Sequence, residues 1–167
     1  MIKKFVPTNF VVFAGLLSAP AASPQDGKPA IAQEKPKDPR VKLLRNFFVK
    51  YQSPVLKFVD VFLTAADENA LDWRLLPSIS IIESGGGKAA AFNNNIFGWG
   101  TRCAFPSVPH GITTVATVLS KSDLYKHHRD TDGILRLYNP YPDYGIRVKA
   151  VMRSVGPARV PALAALN

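Results

Sequence analysis

The stretch LDWRLLPSISIIESGGGKAAAFNNNIFGWG, residues 71–100, decides the fold. Leu76, Ile79 and Glu83 are spaced i, i+3 and i+7, so on a helix a carboxylate leaves the apolar face instead of the wet one. Gly85, Gly86 and Gly87 follow Ser84 and supply the left-handed turn that ends helices. The pattern predicts a helix that closes at Ser84 with Glu83 in its last turn, begun by Asp72 as cap and with Pro77 early in it. The negative end of the helix dipole and partial desolvation against Ile79 and Ile82 then disfavour the charged carboxylate and push its pKa up. A general acid working near neutral pH needs such a shift.

Taken alone, Glu83 reads more readily as a surface glutamate at a fraying helix end. Its surroundings change that reading. Asn93, Asn94 and Asn95 carry amides of the kind that read sugar hydroxyls and acetamido groups, and Phe97 and Trp99 offer ring faces for stacking. Phe97 and Trp99 read equally as core aromatics, since large aromatics are often buried. Between Phe97 and Phe105 the residues lack helical spacing, which predicts a small β-hairpin or irregular lobe forming one wall of a cleft, with Glu83 on the other.

The run Pro77 to Lys88 (PSISIIESGGGK), with Asn93 to Gly100 (NNNIFGWG), resembles the lysozyme-like glucosaminidase and lytic transglycosylase superfamily. Phe105, Ser107, Gly111-Ile112 and Leu137-Tyr138-Asn139-Pro140 extend the likeness, which covers roughly residues 67–152. The resemblance implies that Glu83 is the catalytic acid with Ser84 behind it. It also implies that Asn94, Asn95, Phe97 and Trp99 bind substrate, and that Tyr138 lies in the site, its hydroxyl facing Glu83 or an acetamido group.

The rest of the chain fits one domain, with 167 residues and a hydrophobic fraction of 47%. Lys3 and Lys4 precede the apolar run Phe10 to Leu17, and Ala19-Pro20-Ala21 has the small residues of a cleavage site, so residues 1–21 read as a secretory signal. An uncleaved membrane anchor is the alternative for this segment, although Pro7, Thr8 and Asn9 interrupt it. Residues 22–40, with Pro24, Pro29, Pro36 and Pro39, cannot offset their own ordering entropy and read as a tether. A helical domain over 41–155 follows, then a tail over 156–167.

Within that domain, Leu43, Leu44, Phe47 and Phe48 form the stripe of a first helix over Val41 to Tyr51. Ser53 and Pro54 open a second whose face carries Val55, Phe58, Val59, Phe62, Leu63 and Ala66. Further helices begin near Gly111, after Asp132 and at Tyr141.

Charge and cysteine content narrow the partners. The formal charge of +9 becomes +7 if the signal takes Lys3 and Lys4 with it. A basic surface suits nucleic acid, anionic lipid or an anionic cell wall; no recognition-helix or RNA-binding pattern is present, and an exported protein fits the wall best. The single cysteine, Cys103, rules out an internal disulfide. A Cys103 thiol served by His110, His127 or His128 is the competing nucleophile, but no Cys-His signature surrounds it, and packing is the simpler role. The histidines lack metal-site spacing, so neither metal nor cofactor is expected.

The expectation is a mainly α, lysozyme-like domain with a small β-hairpin lobe, exported to the periplasm or cell envelope as a monomer, touching membrane only through an uncleaved N-terminal segment. Its partner is the peptidoglycan strand and not nucleic acid. Its expected activity is cleavage of β-1,4 bonds in N-acetylated glycan, as a glucosaminidase or lytic transglycosylase. A non-catalytic glycan-binding or wall-assembly module on the same fold is the alternative. Asp130, Asp132 and Asp143 are the acids near Tyr138 that could serve as a second carboxylate, and each reads equally as a cap.

Overall fold

Helix α1 (Pro39–Lys50) begins where the Asp38 carboxylate accepts the Arg40 amide at 2.9 Å and Pro39 takes the first position, where its missing N–H costs nothing. The structure is a computed structural model that describes residues 38–100 and 103–160. The segments expected to be a signal and most of a tether, and the end of the expected tail, lie outside those residues. Because Pro39 and Arg40 are already helical, the folded part starts slightly before the expected tether boundary.

The described residues form six α-helices and one 3-10 helix. After α1 come the 3-10 helix Pro54–Phe58 and then α2 (Val59–Glu68), α3 (Leu75–Ser84), α4 (Val108–Lys121), α5 (Thr131–Tyr138) and α6 (Tyr144–Val155). The fold is mainly helical. One apolar core joins all six helices: Leu44, Phe48, Phe62, Leu76, Ile79, Ile112, Ile134 and Val148 are almost completely buried. Phe62 sits between Phe48 and Phe97, with ring centroids at 5.3 and 6.5 Å. Helix α3 packs chiefly on α6, and α2 on α4.

Several helix starts differ from the periodicity reading. Ser53 does not cap with its side chain. Its buried hydroxyl instead donates to the Gly86 carbonyl at 2.7 Å, tying the end of α3 to the first turn of the 3-10 helix, and α-helical geometry begins only at Val59. Asp72 closes the turn ahead of α3 by accepting the Arg74 amide at 3.0 Å and pairing with the Arg74 guanidinium; the cap position itself belongs to Arg74, with no side-chain bond. Helix α4 starts at Val108 and not near Gly111, because Ser107 caps it and Pro109 is tolerated in its first turn. Helix α5 starts at Thr131, where Asp130 accepts the Gly133 amide at 2.8 Å. Helix α6 starts at Tyr144 and runs to Val155.

The end of α3 is as expected. Gly85 adopts φ +62 and its amide returns to the Ile81 carbonyl, while the Gly86 amide reaches Ser80. The tail is in part structured: the Trp73 indole donates to the Ala158 carbonyl and the Arg74 guanidinium to that of Gly156, so the segment after α6 holds the entry to α3.

No strand occurs among the described residues, so the expected β-hairpin lobe is replaced by an irregular loop. Asn95 explains why. Its buried side-chain amide donates to the carbonyls of Trp99 and Cys103 at 2.9 and 3.1 Å, and its side-chain carbonyl accepts the Trp99 amide at 2.9 Å. A side chain thus satisfies backbone groups that a ladder would otherwise pair. Positive φ at Asn94, Gly98 and Gly100 also breaks strand geometry.

Candidate active site

Glu83 is brought out of the core by the helix period that buries Leu76 and Ile79, and it is half-buried at the end of α3. The Tyr144 hydroxyl, from the first residue of α6, donates to Glu83 Oε1 at 2.6 Å. Oε2 lies beside Gly98: a Cβ built there would stand 2.6 Å from it, and Gly98 has φ +61. Glycine is therefore required twice, for its backbone conformation and for leaving Oε2 uncovered.

Tyr144 stacks on Tyr138, with ring centroids at 5.9 Å and planes 11° apart. The Tyr138 hydroxyl donates to the Phe97 carbonyl. That is a correction to the expected role of Tyr138: the tyrosine bonded to Glu83 is Tyr144, and Tyr138 holds the backbone just before Gly98. Sequence reading missed Tyr144 because both tyrosines precede or follow breakers at Asn139–Pro142, and nothing in their spacing ranks them. The usable signal was its place at the start of an amphipathic helix whose other buried members are Val148, Met152 and Val155.

Burial, and after it the nearby Glu83 charge, push the phenol pKa of Tyr138 far above the ordinary range; for Tyr144 burial comes first, then the hydrogen bond to Glu83, then the Glu83 charge. Burial alone raises Tyr125. All three stay protonated, so Tyr144 remains a donor. An unfolded tyrosine ionises near pH 10. With the folded values raised, the stabilisation is complete below about pH 10 and is lost as pH rises above it. Denaturant titrations should show stability falling above about pH 10, with phenolate absorbance from these three rings appearing together with unfolding. Their ionisation in the intact fold near pH 10 would contradict the burial described.

Other expected site residues divide sharply. Phe97 is fully buried against Phe62 and is a core residue, not a stacking platform. Ser84 is buried, donating to the Ser80 and Ile96 carbonyls at 3.0 and 2.8 Å and accepting the Gly87 amide, so it clamps the loop onto the helix end and offers no group to a ligand. Asn95 is spent on the loop, as described above. Asn94 donates to the Phe105 carbonyl at 3.0 Å. Trp99 alone of the loop group keeps a partly exposed ring, 5.6 Å from Tyr138.

Trp99 and Tyr138 line a cavity of about 450 Å³ together with Gly98, Val118, Leu124 and Tyr125. Glu83 does not line it; its Oε2 lies beside Gly98, which does. The chain matches no protein-family model and no curated protein. The site must therefore be read from its own geometry.

Three acids considered as a second carboxylate are engaged elsewhere. Asp130 caps α5, Asp132 pairs with Lys149 at 2.6 Å, and Asp143 pairs with Arg147 at 3.3 Å. Cys103 is a free thiol, half-buried against the core, whose carbonyl serves Asn95; His110, His127 and His128 are exposed. No group of three or more potential metal ligands gathers among the described residues.

A Tyr144→Phe change isolates the one bond that touches the acid. Hydrogen bonds to charged groups contribute about 1.5–3 kcal/mol. If Glu83 acts as a general acid, the expected result is a kcat lowered roughly 10–100-fold with KM little changed, while Tyr138→Phe should act more weakly and through the loop. Equal activity of Tyr144→Phe and wild type would remove Tyr144 from the site.

Proposed function

We propose that this protein is an exported enzyme that cleaves β-1,4 bonds in the N-acetylated glycan of peptidoglycan, with Glu83 as general acid and base. The observation that carries the proposal is the Tyr144 hydroxyl at 2.6 Å from Glu83 Oε1, with Oε2 beside Gly98, a residue that lines an aromatic cavity. That bond occupies Oε1 and leaves Oε2, beside Gly98, to hold the transferable proton. Glu83 would protonate the leaving glycosidic oxygen as the C1–O bond breaks. Either a water adds to the oxocarbenium-like carbon and gives its proton to the Glu83 carboxylate, or the substrate's 2-acetamido oxygen closes on that carbon to an oxazolinium, which water or the C6 hydroxyl then opens with its proton passing to Glu83. With Asp130, Asp132 and Asp143 engaged in caps and ion pairs, a nucleophile supplied by substrate or water suits this site better than a second carboxylate.

The cavity beside Gly98 supports a sugar occupant. Trp99, Tyr125 and Tyr138 give it broad apolar faces, which match the C–H face of a pyranose ring. The excess of basic residues fits an anionic wall polymer, and the signal-like residues 1–21 fit export. A binding module that keeps the cleft without catalysis is the competing reading, and it gains nothing from a carboxylate held by a protonated tyrosine.

Trp99→Ala tests the cavity. The expected outcome is a KM for glycan raised about tenfold, equivalent to ~1.4 kcal/mol, with a cooperative melt retained. Unchanged KM in a folded Trp99→Ala protein would move the glycan elsewhere.

A further inference from the structure

A second groove of about 400 Å³ lies along the same surface segment as the Glu83 site. Residues 94–100 serve both: Asn94 lines this groove, and Gly98, Trp99 and Gly100 line the aromatic cavity. The groove's floor is apolar, made by Val55, Phe58 and Ala90, and Gly87 lies so close to Val55 that a Cβ would sit 3.0 Å from the valine methyl. The glycine run that ends α3 thus also shapes the groove. Its rim carries Lys57 and Lys88 and no acid. Neither lysine has an ionic partner among the described residues; the Lys57 ammonium rests 5.1 Å from the centroid of the Phe58 ring, and the Lys88 stem covers Gly85.

Beside the groove, Phe92 projects its whole ring into solvent, at 104% relative exposure, between Ala91 and Asn94, which both line it. The ring stands beside a groove with an apolar floor and two lysines that have no ionic partner among the described residues, the mix of apolar and cationic groups that an interaction surface offers. An extended chain of small side chains fits such a floor, and carboxylates fit the two ammonium groups.

We propose that this groove binds the acidic peptide substituents of the glycan strand, alanine- and glutamate-containing chains whose carboxylates meet Lys57 and Lys88. The proposal rests on the peptidoglycan reading of the Glu83 site for its substrate, while the groove's chemistry is independent of it. It makes the enzyme read peptide and glycan together. Peptide-bearing strands are then preferred over bare ones, and the preference weakens with salt as exposed charges are screened.

Two measurements on the full chain decide it. In the first, NMR shift perturbation follows a synthetic alanine- and glutamate-containing stem pentapeptide, with its amidated form as the uncharged control. The acidic peptide should shift the Ala90 and Asn94 amides, and the shifts should disappear both for the amidated peptide and in K57Q/K88Q. Absence of shifts in wild type, or shifts unchanged in K57Q/K88Q, would overturn the groove assignment. In the second, kinetics compare peptide-bearing glycan with strands stripped of peptide. K57Q/K88Q should raise KM about tenfold on the first substrate with kcat unchanged, and leave the second unaffected. Equal effects on both substrates would also overturn it. If wild type cleaves neither strand, the glycosidase reading fails, and the pentapeptide titration still decides the groove.

Discussion

Glu83→Gln should lower the rate of glycan cleavage by at least about 10²–10⁴-fold, the usual contribution of general acid–base catalysis. The variant keeps shape and volume but has no proton to transfer, and its amide can still accept the Tyr144 hydroxyl that now meets Oε1. Thermal stability should change little, because the side chain is half-buried at a helix end and lies outside the core. That separation makes the test clean: a large loss of turnover in a protein that melts like wild type assigns the loss to chemistry.

Gly98→Ala should be nearly as damaging although it changes no ionisable group. The added Cβ would stand 2.6 Å from Glu83 Oε2, a separation real Cβ atoms do not show, so the carboxylate must swing away or the loop must move. A 1 Å misplacement of a catalytic group costs about 100-fold in rate. The left-handed backbone at φ +61 adds about 1 kcal/mol of strain for a non-glycine residue, which should lower the melting temperature by several degrees. The expected result is therefore a kcat reduced roughly 100-fold in a folded, slightly destabilised protein. Wild-type turnover in Gly98→Ala would show that Oε2 does not face the reacting bond.

Much of the arrangement around Glu83 was readable because it is local. Helical periodicity placed Leu76, Ile79 and Glu83 on one face, and the glycine run ended the helix where it does end, at Ser84 with Gly85 left-handed. The burial of Phe47, Phe48, Phe62, Val115 and Val148 follows from the same period. What failed was non-local. Aromatic and glycine residues between Phe97 and Phe105 suit a hairpin as well as a loop, and the choice fell to Asn95, whose side chain replaces ladder bonds with its own. Ser53 looked like a cap from its neighbour Pro54, but its hydroxyl is claimed by Gly86, 33 residues away.

The tyrosines show the same limit. Tyr138 and Tyr144 stand on separate helices, and which of them meets Glu83 depends on how α6 packs on α3, a contact that no sequence spacing encodes. Ser84 and Phe97 occur in a motif with a functional likeness, yet both serve the fold: one clamps the glycine loop and the other fills the core. Among Asn94, Asn95, Phe97 and Trp99, Trp99 is the one that lines the aromatic cavity.

The most direct test of Glu83 as a glycan-cleaving acid is mass analysis of purified peptidoglycan after digestion by wild type and by Glu83→Gln in parallel. Wild type should release fragments with new glycan ends, anhydro ends if the substrate's own C6 hydroxyl completes the reaction and reducing ends if water does, while Glu83→Gln should leave the strands intact. Intact strands with wild type, or the same fragments at the same rate from Glu83→Gln, would contradict the account.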